Sequence, residues 1–249
     1  MVVRRLVDLK KFALQTEDYS IPCKLFTAGD PEFVVIGVHG FAGDKESSVL
    51  AALADRLCRM KGALLCFDFP AHGESAAPDA CLRVGNCRRD LLCVVDYVRR
   101  NFPDRGYGLF ATSFGGYITL LCSEELKDFR IILRAPAVTM ARSFMECIVS
   151  VTEKEFLEAG GATCGFERKM FVPYEFYRDL LDNSVAVPEE EILIIHGTED
   201  DVIPYEAVKT LAEEHPQVRL ISVEGADHRF KGPGECEMIV EKSVQWFFR

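Results

Sequence analysis

Apolar residues along this chain gather into short runs, separated by longer stretches where they recur every three to four positions. The first long run, Phe33-Val34-Val35-Ile36-Gly37-Val38, shows no alternation, as expected of a strand buried on both faces. Ala63–Phe67 is a second buried run, and Tyr107–Ala111, Phe129–Arg134, Glu191–Ile195 and Val218–Val223 are further strand candidates. Between them lie amphipathic helix patterns. Glu46–Met60 carries Val49, Leu50, Leu53 and Leu57 on one stripe, and Cys87–Asn101 is followed by Pro103. Further helices are predicted over Phe114–Glu125, Tyr205–Glu214 and Glu235–Phe248. Ahead of all of these, Lys11–Gln15 and Ile21–Phe26 flank the polar turn Thr16-Glu17-Asp18 and read as a hairpin, with Pro22 suited to an edge strand.

Strands alternating with helices predict an α/β fold: a mostly parallel twisted sheet covered on both faces. In such sheets ligands bind at the carboxyl ends of the strands, so functional residues are expected just after the apolar runs. One stretch, 138–187, breaks the rhythm. It shows no buried strand run but holds Phe144, Phe156, Phe166, Phe171, Tyr174, Phe176 and Tyr177. It reads as a small cap inserted over the active face of a single domain spanning 1–249.

Composition narrows the function. With 49% apolar residues in 249, one large core is expected. A net charge of −10 argues against nucleic acid and anionic membranes as partners. No apolar run reaches bilayer length, and Met1-Val2-Val3-Arg4-Arg5-Leu6 has no signal core, so a cytoplasmic protein is expected. The ten cysteines form no Cys-x-x-Cys pair; Cys81, Cys87 and Cys93 recur every six residues, which matches no common zinc pattern. Many sit in apolar segments, as reduced thiols packed like small core residues do. No metal or organic cofactor is implied.

Candidate chemistry centres on Ala111-Thr112-Ser113-Phe114-Gly115. Ser113 follows a predicted strand and opens a predicted helix, the context of a nucleophile elbow; small residues on either side let strand and helix approach. The competing reading is a serine that merely caps the helix. Serine needs a general base, and the base needs an orienting carboxylate. Of five histidines, His39, His72 and His196 each end a strand and read as hydrogen-bonding to loop backbone. His215 reads as solvated. His228, after the last strand and before the last helix, is the candidate base. The acid falls in His196-Gly197-Thr198-Glu199-Asp200-Asp201, where spacing favours Asp200 with Asp201 as runner-up. The order Ser113, Asp200, His228 is that of one hydrolase architecture. A strand ending in His39-Gly40-Phe41-Ala42-Gly43 makes the Phe41 N–H, together with that of Phe114, a candidate pair for binding an oxyanion.

Five blocks together resemble the α/β-hydrolase superfamily: His39–Gly43, Phe67–Ser75, Ala111–Gly116, His196–Pro204 and Gly225–His228. Within it the chain resembles small bacterial carboxylesterases, including cinnamoyl (feruloyl) esterases, and serine aminopeptidase-like hydrolases. The resemblance implies triad roles for Ser113, Asp200 and His228, and oxyanion roles for Phe41 and Phe114. It also implies a cap over 138–187 that shapes an acyl or alcohol pocket, and it allows a homodimer. The expected substrate is a small-molecule ester with a small or aromatic acyl group. A thioesterase, monoacylglycerol lipase or peptidase on the same triad is the alternative, and a non-catalytic binding module is the third reading.

Overall fold

A computed structural model describes residues 7–249. Residues 1–6, on which the reading of the N-terminus rests, lie outside the described residues.

Six parallel strands form the centre: β3 (Phe33–Val38), β4 (Gly62–Phe67), β5 (Gly106–Thr112), β6 (Phe129–Arg134), β9 (Ile192–Gly197) and β10 (Val218–Val223). An antiparallel hairpin, β1 (Asp8–Gln15) and β2 (Ser20–Thr27), extends one edge, giving the order β1-β2-β4-β3-β5-β6-β9-β10. β3, β4 and β9 are buried along their full length, as their unbroken apolar runs require.

Helices cover both faces. α1 (Ser48–Arg59) and α8 (Glu235–Phe247) pack on one side, while α2 (Val84–Asn101), α3 (Phe114–Leu121) and α7 (Tyr205–Glu214) cover the other. The α1 stripe buries Val49, Leu50, Leu53, Ala54 and Leu57. Each fully buried leucine contributes about 2 kcal/mol relative to exposure, so this stripe, rather than helix propensity, holds α1 to the sheet.

The structure corrects the reading of Pro22. β2 is not an edge strand; it lies between β1 and β4. Proline is tolerated because the β2–β4 ladder begins only at Cys23. Just beyond that ladder the Pro22 carbonyl accepts the Asp68 N–H at 3.0 Å.

The segment between β6 and β9 contains α4 (Met140–Ser143), a π-helical turn at Phe144–Ile148, α5 (Glu153–Glu158) and α6 (Tyr174–Asp182). It also contains a two-stranded hairpin, β7 (Gly161–Cys164) and β8 (Met170–Pro173), where no strand was expected. Four residues per strand are too few to show a period. α5 starts at a reciprocal capping box: Thr152 accepts the Glu155 N–H and Glu155 accepts the Thr152 N–H.

Most aromatics of this segment are core, not cavity wall. Phe144, Phe156 and Phe176 are fully buried and Tyr177 nearly so. Phe144 and Phe176 meet Phe41 and Phe114 through ring contacts, with Phe41–Phe144 centroids 5.5 Å apart and Phe114–Phe176 5.7 Å. The inserted segment is thereby fastened to the two loops expected to bind an oxyanion.

Candidate active site

Ser113 sits between β5 and α3 with φ 50° and ψ −113°, a conformation non-glycine residues rarely adopt. The strain is held from several sides. Its N–H donates to the Arg134 carbonyl at 2.9 Å, and its own carbonyl accepts from Tyr117 and Ala137. Close approach is built into the glycine two residues later. A Cβ on Gly115 would lie 2.5 Å from the His39 carbonyl oxygen, so only glycine lets α3 pass beneath the β3 end. Ala111, where a second glycine was the expectation of the motif, is buried in β5 without displacing that turn.

His228 follows β10 and reaches across to Ser113: Nε2 lies 3.0 Å from the serine Oγ. Its Nδ1 lies 2.8 Å from Asp200 Oδ2. Asp200 Oδ1 accepts the Val202 and Ile203 N–H groups at 2.9 and 2.7 Å, which fixes the carboxylate in one orientation. Burial alone would raise the Asp200 carboxyl. The hydrogen bond and charge of His228, with the two amides, instead hold it below the ordinary carboxylate value. A carboxylate that stays ionised keeps the His228 Nδ1–H pointed at itself and leaves Nε2 as the lone-pair end facing serine.

The neighbouring Asp201 is exposed, and among the described hydrogen bonds its side chain makes none to His228. The choice left open between adjacent acids is thus made by geometry in favour of Asp200 as His228's partner.

Three other histidines are fixed to backbone. His39 Nδ1 donates to the Gly40 carbonyl at 2.8 Å while Nε2 accepts the Phe69 N–H at 3.2 Å. His72 Nδ1 donates to the Pro70 carbonyl at 2.8 Å. Burial holds both neutral, pressing His39 to about 4 and His72 to about 3. His196 Nε2 donates to the Ile203 carbonyl at 3.0 Å and also stands 3.2 Å from Asp200 Oδ2. It therefore braces the acid loop, a contact its strand-end position did not reveal. His215 caps the end of α7, half-buried.

Gly40 packs against Ser113, and the loop continues through Phe41 to Gly43, whose N–H returns to the Gly40 carbonyl at 3.0 Å. Among the described hydrogen bonds, neither the Phe41 N–H nor the Phe114 N–H has a protein acceptor. Both side chains are buried in the aromatic cluster, with their ring centroids 6.0 Å apart.

The Asp68 block is structural. Asp68 accepts the Lys45 and Glu74 N–H groups, each at 2.8 Å, and the Lys45 ammonium at 2.5 Å. Asp68 and Lys45 are both almost fully buried, and together they tie the loop after β3 to the loop after β4. Gly73 belongs to this knot: a Cβ there would meet the Asp68 carboxyl at 2.2 Å.

A cavity of about 400 Å³ opens onto Ser113 and His228. The loop after β3, the start of α1, the loop after His228 and the β7–β8 hairpin tip line it. From the inserted segment only Phe166, Glu167 and Arg168 reach it. Arg229, next to His228, lies over the Phe166 ring at 5.2 Å and pairs with Glu167 at 2.5 Å, joining hairpin tip to histidine loop.

A strained serine at a strand-to-helix turn, a histidine after the last strand and a parallel sheet with antiparallel edge define the α/β-hydrolase fold of serine hydrolases. The chain belongs to the serine aminopeptidase S33 family, whose model matches residues 29–160. It is 24% identical over 220 residues to the mouse mitochondrial palmitoyl-protein thioesterase ABHD10, covering 83% of this chain and 72% of that one. Among solved structures it resembles Est1E of Butyrivibrio proteoclasticus, solved with ferulic acid bound. That match has a TM-score of 0.82 at 19% identity and covers 94% of this chain and 97% of that one. A putative hydrolase from Agrobacterium vitis S4 matches with a TM-score of 0.79 at 21% identity, over 98% and 100% of the two chains. Among the described residues, no helix is long and apolar enough to cross a membrane.

Proposed function

We propose that this chain hydrolyses carboxylic esters of small molecules through an acyl-enzyme on Ser113. The observation that carries the reading is the bridge made by His228, with one ring nitrogen on Ser113 and the other on a buried carboxylate. In this reading His228 Nε2 takes the Ser113 proton as Oγ attacks the ester carbonyl. The Phe41 and Phe114 amides receive the charge that develops on the carbonyl oxygen. His228 then gives its proton to the departing alcohol, and the same histidine activates the water that releases the acid.

A fluorophosphonate probe is expected to label Ser113 and to leave Ser113→Ala unlabelled. Labelling that survives the substitution refutes the reading. An ester screen that includes methyl ferulate, with Ser113→Ala as control, measures the acyl preference. An aromatic acyl group finds only Phe166 among the inserted aromatics on the cavity wall, so small acyl groups are the favoured class. Thioester hydrolysis is the second reading, supported by the name of the mouse relative. Faster turnover of acyl-CoA than of the matched oxygen ester would establish it in place of the first.

We place the protein in the cytoplasm, a reducing compartment that suits ten unpaired cysteines. Fractionation of cells expressing a tagged chain tests this, and recovery with mitochondria would overturn it.

A further inference from the structure

Arg134 closes β6 and lines the cavity shared with Ser113 and His228. A charged residue at the end of an apolar strand, under the loop that carries the histidine, needs a reason. Part of it is local: one Nη2 donates to the Arg229 carbonyl at 2.5 Å, and the guanidinium lies 4.9 Å from the Phe230 ring centre. Phe230 holds a positive φ of 52°, so this contact secures a strained turn two residues from His228.

The rest of the guanidinium is uncommitted. Its Nε is buried without a partner, and among the described residues Arg134 makes no ion pair. Burial lowers its pKa against the opposing influence of Cys236, Asp227, Asp200 and Glu235, none of which forms an ion pair with it among the described residues. A partly buried cation without a paired anion is costly, and the cost is recovered when an anion arrives. The other charged residues lining the cavity are Asp44, Glu167, Arg168 and Arg229. Glu167 is tied to Arg229 and Lys231, while Asp44 accepts the Glu46 N–H and keeps its negative charge. Arg168 makes no ion pair among the described residues, so Arg134 and Arg168 together outweigh the single unpaired carboxylate of Asp44 and the lining is net positive. This is notable in a chain of net charge −10, which repels anions at long range.

We infer that the cavity beside Ser113 binds a carboxylate carried by the ester substrate, with Arg134 as the recognising residue. The inference rests on the ester-hydrolase reading and narrows it to esters that bear an anionic carboxylate a few bonds from the scissile group. The carboxylate lies on the acyl side, as in half-esters of short dicarboxylic acids, or on the alcohol side.

Two matched pairs separate those sources: mono-4-nitrophenyl glutarate against 4-nitrophenyl butyrate, and 4-carboxyphenyl butyrate against phenyl butyrate. The wild-type protein is expected to favour the anionic member of one pair in kcat/KM. Arg134→Met is expected to lower that ratio by roughly 10- to 100-fold, the range of a lost charge-assisted hydrogen bond, with Arg134→Lys between. Using the ratio cancels any damage to the His228 turn, because both members of a pair need the same histidine. A Ser113-dependent preference for the neutral member in both pairs overturns the inference, as does a ratio unmoved by Arg134→Met. Glutarate binding to Ser113→Ala, read by thermal shift, tests Arg134 without turnover. A rise in Tm that vanishes in the Ser113→Ala/Arg134→Met double variant supports the site, and no rise in Ser113→Ala overturns it. Failure of the ester-hydrolase reading would instead show as turnover or probe labelling that survives Ser113→Ala.

Discussion

Asp200→Asn isolates the role of the buried carboxylate without removing its volume. Oδ1 faces two backbone donors, the Val202 and Ile203 N–H groups, at 2.9 and 2.7 Å. In the variant that position must be taken by the amide oxygen, because an NH₂ group there would face two donors. The NH₂ is then turned toward His228 Nδ1, 2.8 Å away in the parent. Two donors cannot meet at that distance, so His228 adopts the tautomer with its proton on Nε2. That nitrogen faces Ser113 at 3.0 Å and can no longer accept the serine proton. The expected loss in kcat is about 10⁴-fold, equivalent to roughly 5.5 kcal/mol in the barrier. The fold should survive, since both backbone bonds to the side chain are retained. Steady-state hydrolysis of 4-nitrophenyl acetate, with a thermal melt as control, measures this. Asp201→Asn, altering an exposed side chain, should change kcat by less than about twofold. A folded Asp200→Asn protein that keeps more than about a tenth of the parent rate would refute the tautomer argument, as would an equal loss in Asp201→Asn.

Three further outcomes test the packing around this site. Asp90 is fully buried with its carboxylate 3.0 Å from the Tyr19 hydroxyl, and burial raises its pKa from 3.8 to about 7. The unfolded chain releases this proton first, so stability contributed by the protonated form falls as pH rises from about 4 to about 7. Asp90→Asn should therefore be nearly neutral at pH 4 and stabilising at pH 8, and a difference in urea midpoint that does not grow across this window contradicts the assignment. Asp68→Ala leaves the buried Lys45 ammonium with Glu74 Oε2, 2.7 Å away, as its remaining carboxylate and should cost about 1–3 kcal/mol in urea unfolding; a cost under about 0.5 kcal/mol would mean the knot is solvated. Gly115→Ala forces a methyl to 2.5 Å from the His39 carbonyl oxygen. It should lower stability by about 1–3 kcal/mol and reduce ester turnover more than it reduces binding of glutarate, whereas an unchanged melt would show that α3 can shift freely.

Much of this arrangement is legible along the chain because its signals are local. An unbroken apolar run is a strand buried on both faces whatever it packs against, so β3, β4 and β9 could be read directly. The strand–serine–helix order around Ser113 and the loop position of His228 follow from the same rhythm. Signals shorter than a period failed. The four-residue strands β7 and β8 left no alternation to detect. Pro22 misled because its tolerance depends on where another strand's ladder begins. The aromatics Phe144, Phe156 and Phe176 announced an apolar surface but not which way it faced; the structure buries all three and sets Phe144 and Phe176 against Phe41 and Phe114.

The sequence by itself determined the alternating α/β order and the strand ends where reactive side chains gather, because period and turn chemistry are properties of a few adjacent residues. Only the tertiary structure decided between Asp200 and Asp201, which share composition, neighbours and loop. The decision comes from two amides, Val202 and Ile203, that turn one carboxylate inward toward a histidine 28 residues away. It also decided that Arg134 faces a cavity with its charge unpaired, since a pairing depends on every chain segment that comes near.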